Sequence, residues 1–89
     1  MATSAIITFS NNEELKITED EYIIPIEAVE KNGTLITYKK EPYLVLDHSN
    51  DGLIPSLTKV ISGCAFFSKI DESDKKVYSS SSVVKITNL

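Results

Sequence analysis

The sequence predicts an α+β domain: a small, mostly antiparallel sheet of five to seven strands with one amphipathic helix at about residues 52–63. Three observations carry this. Short β-branched and aromatic runs recur between clusters of Asn, Asp, Gly, Pro and Ser, as strands do between turns. Asn32-Gly33 is the strongest short hairpin signal a sequence offers. At residues 53–64 the apolar period changes from that of a strand to that of a helix.

Ser4 to Phe9 reads as the first strand, and Asn11-Asn12 supplies the turn, because Asn tolerates left-handed backbone angles. Leu15-Lys16-Ile17-Thr18 alternates as a half-buried strand should. A hairpin would then place Ile7, Phe9, Leu15 and Ile17 on one face. Glu19-Asp20-Glu21 breaks the pattern, and Tyr22 to Ile26 starts a third strand. Pro25 cannot donate to a ladder, so this strand is expected at an edge or with a bulge. Thr34 to Tyr38 follows the Asn-Gly turn, and Tyr43 to Leu46 follows Lys39-Lys40-Glu41-Pro42.

Leu53, Leu57, Val60, Ile61 and Cys64 fall on one helical face. Asn50 or Asp51 is the expected N-cap, Pro55 belongs in the first turn, and Gly63 marks the C-terminal end. Ala65 to Ile70 returns to strand character. Val77-Tyr78 and Val83 to Ile86 form a last strand, with the serines 79–82 as a bulge within it. No repeat and no domain boundary interrupts residues 1–89, so they are read as a single domain.

Composition narrows the function. Arg is absent, all nine basic residues are Lys, and the net charge is −4. Arg is the usual bidentate reader of phosphate and guanine, so nucleic acid polymers are not expected partners. Cys64 is the only cysteine, which precludes an intramolecular disulfide and fits a reducing compartment. No stretch reaches the length of a membrane span, and Met1 to Ala5 lacks a basic n-region. The expectation is a soluble, cytoplasmic protein with no membrane association.

Charge is unevenly spread. Residues 1–30 hold seven acids and one Lys, whereas residues 31–89 hold six acids and eight Lys. The first third is either a solvated face or a surface for a basic partner. The doublets Ile6-Ile7, Ile23-Ile24, Phe66-Phe67 and Val83-Val84 put apolar groups on both sides of a strand. One helix covers one sheet face, so a homo-oligomer is expected; a curled sheet closing on itself is the alternative.

Asp47-His48-Ser49 has the residue types of a hydrolase triad, but triads assemble from distant segments and no Gly-x-Ser-x-Gly is present. Neither a catalytic centre, nor a metal, nor a cofactor is expected. Cys64 reads as a small core residue. The segment His48, Ser49, Asn50, Asp51 and Gly52 precedes the helix, whose free amides suit an anion. Gly52 would admit a ligand close to the backbone. Lys39, Lys40, Lys59 and Lys85 would add positive charge. Tyr43 and Tyr78 complete the candidate ligand-binding set, because Tyr often lines binding surfaces. The competing readings are helix capping for the turn and semi-buried sheet positions for the tyrosines.

Ile7 to Leu15, Gly52 to Leu57, Lys76-Val77-Tyr78 and Ser81 to Ile86 give the chain a character that resembles the small anti-defence and host-takeover proteins of phages infecting Gram-positive bacteria. The resemblance implies one of two strategies in the host cytoplasm. One is an oligomeric sponge that sequesters a small anionic ligand such as a signalling cyclic nucleotide. The other is an acidic, stoichiometric inhibitor of a host protein. The resemblance carries over no functional residue. The expectation is therefore a non-enzymatic binding protein acting by sequestration, with the sponge ahead of the protein inhibitor and of a structural or assembly module.

Overall fold

The computed structural model describes residues 3–89. Met1 and Ala2, within the opening segment considered above, lie outside the described residues. The fold is α+β, with eight strands rather than five to seven, in two antiparallel sheets rather than one.

Strands β1 (Ser4–Phe9) and β2 (Glu14–Thr18) form the expected hairpin. Asn12 takes a φ of 69°, and the Asn11 side chain accepts from the Glu13 N–H at 3.0 Å, closing the turn. Ile7, Phe9, Leu15 and Ile17 all face inward and are buried. Strand β3 (Tyr22–Lys31) turns at Asn32-Gly33 into β4 (Thr34–Lys39). Asn32 and Gly33 have φ of 53° and 79°, the two positive values a type I′ turn demands. A short β5 (Tyr43–Leu44) returns along β3.

Helix α1 (Ile54–Ser62) is followed by β6 (Phe66–Lys69), a 3₁₀ turn over Ile70–Glu72, and β7 (Tyr78–Ser79). The last strand, β8 (Val83–Asn88), pairs with β1. The three-stranded sheet has the order β2-β1-β8; the five-stranded sheet has the order β4-β3-β6-β7, with β5 also on β3. The inner faces of both sheets and the Leu57–Val60–Ile61 stripe of α1 meet in one core with Leu53 and Val45.

Three local expectations are corrected. Pro25 lies in a strand flanked on both sides, not at an edge and not at a bulge. Its nitrogen points into the gap between the partners of Ile23 and Ile26, where no ladder donor is needed, and its carbonyl accepts from Lys40 N–H at 2.8 Å. The serine run is not a bulge. Ser80–Ser82 forms a 3₁₀ turn that carries the chain from one sheet to the other. The helix cap is neither Asn50 nor Asp51: Leu53 occupies the N-cap position with no side-chain hydrogen bond of its own.

The doublets are mostly covered. Ile23 and Ile24 are both buried, Ile6 and Phe66 are half-buried, and only Val84 is largely open, at 61% exposure. The uncovered apolar surface is elsewhere. Beyond Ala28 the β3–β4 hairpin leaves the core as an arm; no residue of β4 is buried, and Val29, Leu35, Ile36 and Tyr38 are exposed. Among the described residues no helix is long and apolar enough to cross a membrane.

Candidate functional site

The His48–Gly52 segment is a tight, self-bonded turn. The His48 N–H donates to the Gly52 carbonyl and the Gly52 N–H to the His48 carbonyl, both at 2.8 Å. Gly52 needs its glycine because its φ is 61°. The close approach expected at Gly52 does occur, but the group that makes it is Asn88 at the end of β8. A Cβ on Gly52 would lie 2.6 Å from Asn88 Oδ1. That oxygen accepts from the Leu53 N–H at 3.2 Å, and Asn88 Nδ2 donates to the Asp51 carbonyl at 2.8 Å. Asn88 thus satisfies a helix-start amide that would otherwise be available to an anion. Sequence reading missed it, since it is 35 residues from Leu53 in the chain.

His48 meets Ser56 rather than Ser49: Nε2 lies 3.4 Å from Ser56 Oγ. Ser56 is buried, donates to the Leu46 carbonyl and accepts from the Leu46 N–H, both at 3.1 Å. Its proton is committed to a backbone carbonyl, so the pair serves to pin the 46–48 segment on α1. Asp47 turns away and accepts from Thr3 Oγ1 at 3.1 Å. Cys64 Sγ donates to the Val60 carbonyl at 3.2 Å, securing the last helical turn. Among the described residues no group of three or more His, Cys, Asp or Glu is placed to hold a metal ion.

Tyr43 and Tyr78 pack against the core from opposite edges of the five-stranded sheet. Strands β3 and β6 separate them, a distance of about 14 Å at the usual strand spacing. Tyr78 stacks on Phe9 and Phe67 with centroids at 5.0 and 5.6 Å. The lysines also diverge. Lys40 and Lys59 join Tyr43, Pro25, Val60 and Gly63 around a small cleft of about 160 Å³. Lys85 lies in the groove between α1 and β8, and Lys39 lines a cleft on the outer face of the five-stranded sheet. The turn 48–52 lines neither these clefts nor the one beside Tyr78.

Three acids of the first third are engaged within the chain. Glu19 accepts from the Thr3 N–H at 2.7 Å, Glu21 accepts from the Thr18 N–H at 2.8 Å, and Glu27 pairs with Lys40 at 3.9 Å. Glu21 also holds Lys69, Nζ to Oε2 at 3.0 Å. Burial works to lower the Lys69 pKa, but the hydrogen bond to Glu21 and the charges of Glu21, Asp71 and Glu72 outweigh it, so the ammonium is held above its ordinary 10.5. The fold therefore favours protonated Lys69. Its contribution to stability is full below 10.5 and is lost as pH rises through the raised value. Lys69→Gln should melt below wild type by a constant margin from neutral pH to about 9, and the margin should close in more alkaline buffer. A margin that instead widened with pH would contradict this assignment.

The feature that sequence reading did not find is the outer cleft itself. It has a volume of about 400 Å³ and is lined by Ile26, Thr37, Tyr38, Lys39, Phe66 and Val77. Ile26 pairs with both Phe66 and Lys39 across the sheet, so these side chains share the face turned away from the core. Val77 is 51% exposed at its margin, and Lys75 and Lys76 precede it. The signal available was the doublet Phe66-Phe67, which requires one ring on each face. No known protein family, curated protein or solved structure matches the chain.

Proposed function

We propose that this chain is a non-enzymatic binding protein that acts by stoichiometric contact with another protein, through the outer cleft of its five-stranded sheet. The observation that carries this reading is the apolar lining Ile26–Phe66–Val77 on a face turned away from the core, with Lys39 at its rim. Lys75 and Lys76 line a separate cleft on the other side of Val77, with Glu13, Glu14 and Tyr78. Such a surface suits a partner segment with an apolar side chain beside a carboxylate that meets Lys39. The engagement of Ser56 and Cys64 with backbone carbonyls supports a binding role over a nucleophilic one.

The second reading is the sequestration of a small anion. Lys40, Lys59 and Tyr43 converge on one cleft, which favours it. A cleft of about 160 Å³ suits a single phosphate-sized group, whereas sites for larger ligands span about 300–1,000 Å³. A cyclic nucleotide would need residues from more than one copy.

Val77→Glu separates the two. The site is exposed, so the fold should hold, but a carboxylate would meet the acidic partner and stay wet in the cleft. Tagged wild-type protein should retain a partner at stoichiometric ratio from a host lysate, and Val77→Glu should lose it at least tenfold. Capture indifferent to Val77→Glu, with a small anion in native mass spectra that disappears in Lys59→Ala, would favour the second reading.

A further inference from the structure

The outer edge of β4 is an unprotected template. The two-residue turn makes Lys31–Thr34 a hydrogen-bonded pair, so Ile36 and Tyr38 also direct their N–H and C=O groups to β3. The Lys40 N–H bond to the Pro25 carbonyl keeps the same phase. Leu35, Thr37 and Lys39 therefore direct three N–H and three C=O groups outward, and no hydrogen bond reaches them among the described residues. Other sheet margins are defended. Strand β2 alternates Glu14 and Lys16 on its exposed positions, the edge strand β8 carries an exposed Lys85, the side of β3 left unpaired beyond Ile26 carries Glu30 and Lys31, and β5 and β7 are two residues each. The β4 sequence Leu35-Ile36-Thr37-Tyr38 carries no charge. A two-stranded arm with no third strand is also marginal by itself.

We infer that the occupant of this edge is the β4 strand of a second copy of the chain, paired antiparallel about a two-fold axis at Thr37. A two-fold axis normal to the sheet pairs residues of like parity. Centring it on Thr37 places Thr37 opposite Thr37 of the second copy and Leu35 opposite Lys39. All six outward groups of each edge are then used. Centring it on Ile36 would leave the Lys39 groups facing the Asn-Gly turn. The side chains agree with the first register. On one face, Ile36 meets Tyr38 of the other copy, and Val29, Ile36 and Tyr38 of both copies form one apolar strip; these are 42%, 43% and 49% exposed in a single chain. On the other face, the Lys39 stem crosses Leu35 of the second copy and its ammonium reaches toward Glu30, the cross-strand neighbour of that leucine. The axis makes this ion pair twice. Residues 27–41 hold three Glu and three Lys, so the arm is neutral although the chain carries −4, and two arms approach without net repulsion. The pairing shares Lys39 and Thr37 with the rim of the outer cleft but uses the strand edge and leaves Phe66 and Val77 in place, so it does not rest on the partner reading above.

Sedimentation equilibrium of the full chain over a concentration series should show a monomer–dimer equilibrium. Thr37→Cys should form a disulfide-linked dimer in a mild redox buffer, because hydrogen-bonded antiparallel partners lie about 5.5 Å apart at Cα, within disulfide range. Thr34→Cys and the wild-type chain, with only Cys64, should not. Leu35→Lys sets two ammonium groups opposite each other and should raise the dimer dissociation constant by about tenfold or more. Leu35 is 65% exposed, so the monomer should keep its circular dichroism and melting temperature. Thr37→Pro removes an edge donor and should act likewise. Val77→Glu should leave the equilibrium unchanged. A chain that stays monomeric at millimolar concentration overturns the inference. So does a dimer that lacks the Thr37 cross-link, or one that tolerates both Leu35→Lys and Thr37→Pro.

Discussion

Phe67→Ala should destabilise the protein by about 3–5 kcal/mol, read from urea unfolding followed by circular dichroism. Phe67 is fully buried and belongs to a three-ring stack, with Tyr78 closest to both other rings, that joins the two sheets. It lies 6.2 Å from Phe9 in β1 and 5.6 Å from Tyr78 in β7, and Phe9 and Tyr78 stack at 5.0 Å. Truncation would remove the ring's burial and leave a cavity that two strands from different sheets border, with little freedom to collapse. A chain of this length has a total stability of about 5–13 kcal/mol, so the variant would lose a large share of it. Phe66→Ala is the internal control. Its ring is half-buried on the outer face, and its loss should cost about 1–2 kcal/mol. Equal costs for the two variants would mean that β6 is not held in the register Pro25–Phe67 and Ile26–Phe66.

The second large effect is expected at Gly52. Gly52→Ala should cost about 2–4 kcal/mol, summing a left-handed backbone for a non-glycine residue and the displacement of Asn88. Gly52 has a φ of 61°, and the new Cβ would come within 2.6 Å of Asn88 Oδ1. Asn88 cannot swing away freely, because it bridges the Leu53 N–H and the Asp51 carbonyl. Asn88→Ala alone should cost about 1–2 kcal/mol for those two bonds. The double variant should cost clearly less than the two together, since removal of the carboxamide also removes the clash. Strict additivity in a double-mutant cycle would show that Asn88 does not sit against Gly52.

How far such positions are legible follows from how local their causes are. Both hairpins and the helix could be read because their determinants are neighbours in sequence. Asn12 and Asn32-Gly33 adopt positive φ by their own chemistry, and the spacing Leu53-Leu57-Val60-Ile61 dictates which helical face is buried. Pro55 at the helix start fell where its fixed φ places it, and Gly63 ends the helix, although at a φ of −97° it does not use the left-handed conformation open to glycine. The candidate site was less legible. His48, Gly52, Tyr43 and Tyr78 stand out by their chemistry, but the tertiary fold distributes them: the turn to Asn88 and Ser56, Tyr43 to Lys40 and Lys59, and Tyr78 to the aromatic stack.

The sequence by itself determined an α+β chain of short antiparallel strands with one helix, because period and turn chemistry act over a few residues. Only the tertiary structure decided that the strands divide into two sheets at Ser80–Ser82, and that Pro25 could occupy a central strand opposite a gap. It also decided that the helix is capped from β8, and that the β3–β4 arm projects with an open edge. Each of these rests on a hydrogen bond or a contact between segments far apart in the chain. Such partners satisfy or leave open the same backbone groups whatever the local pattern prefers.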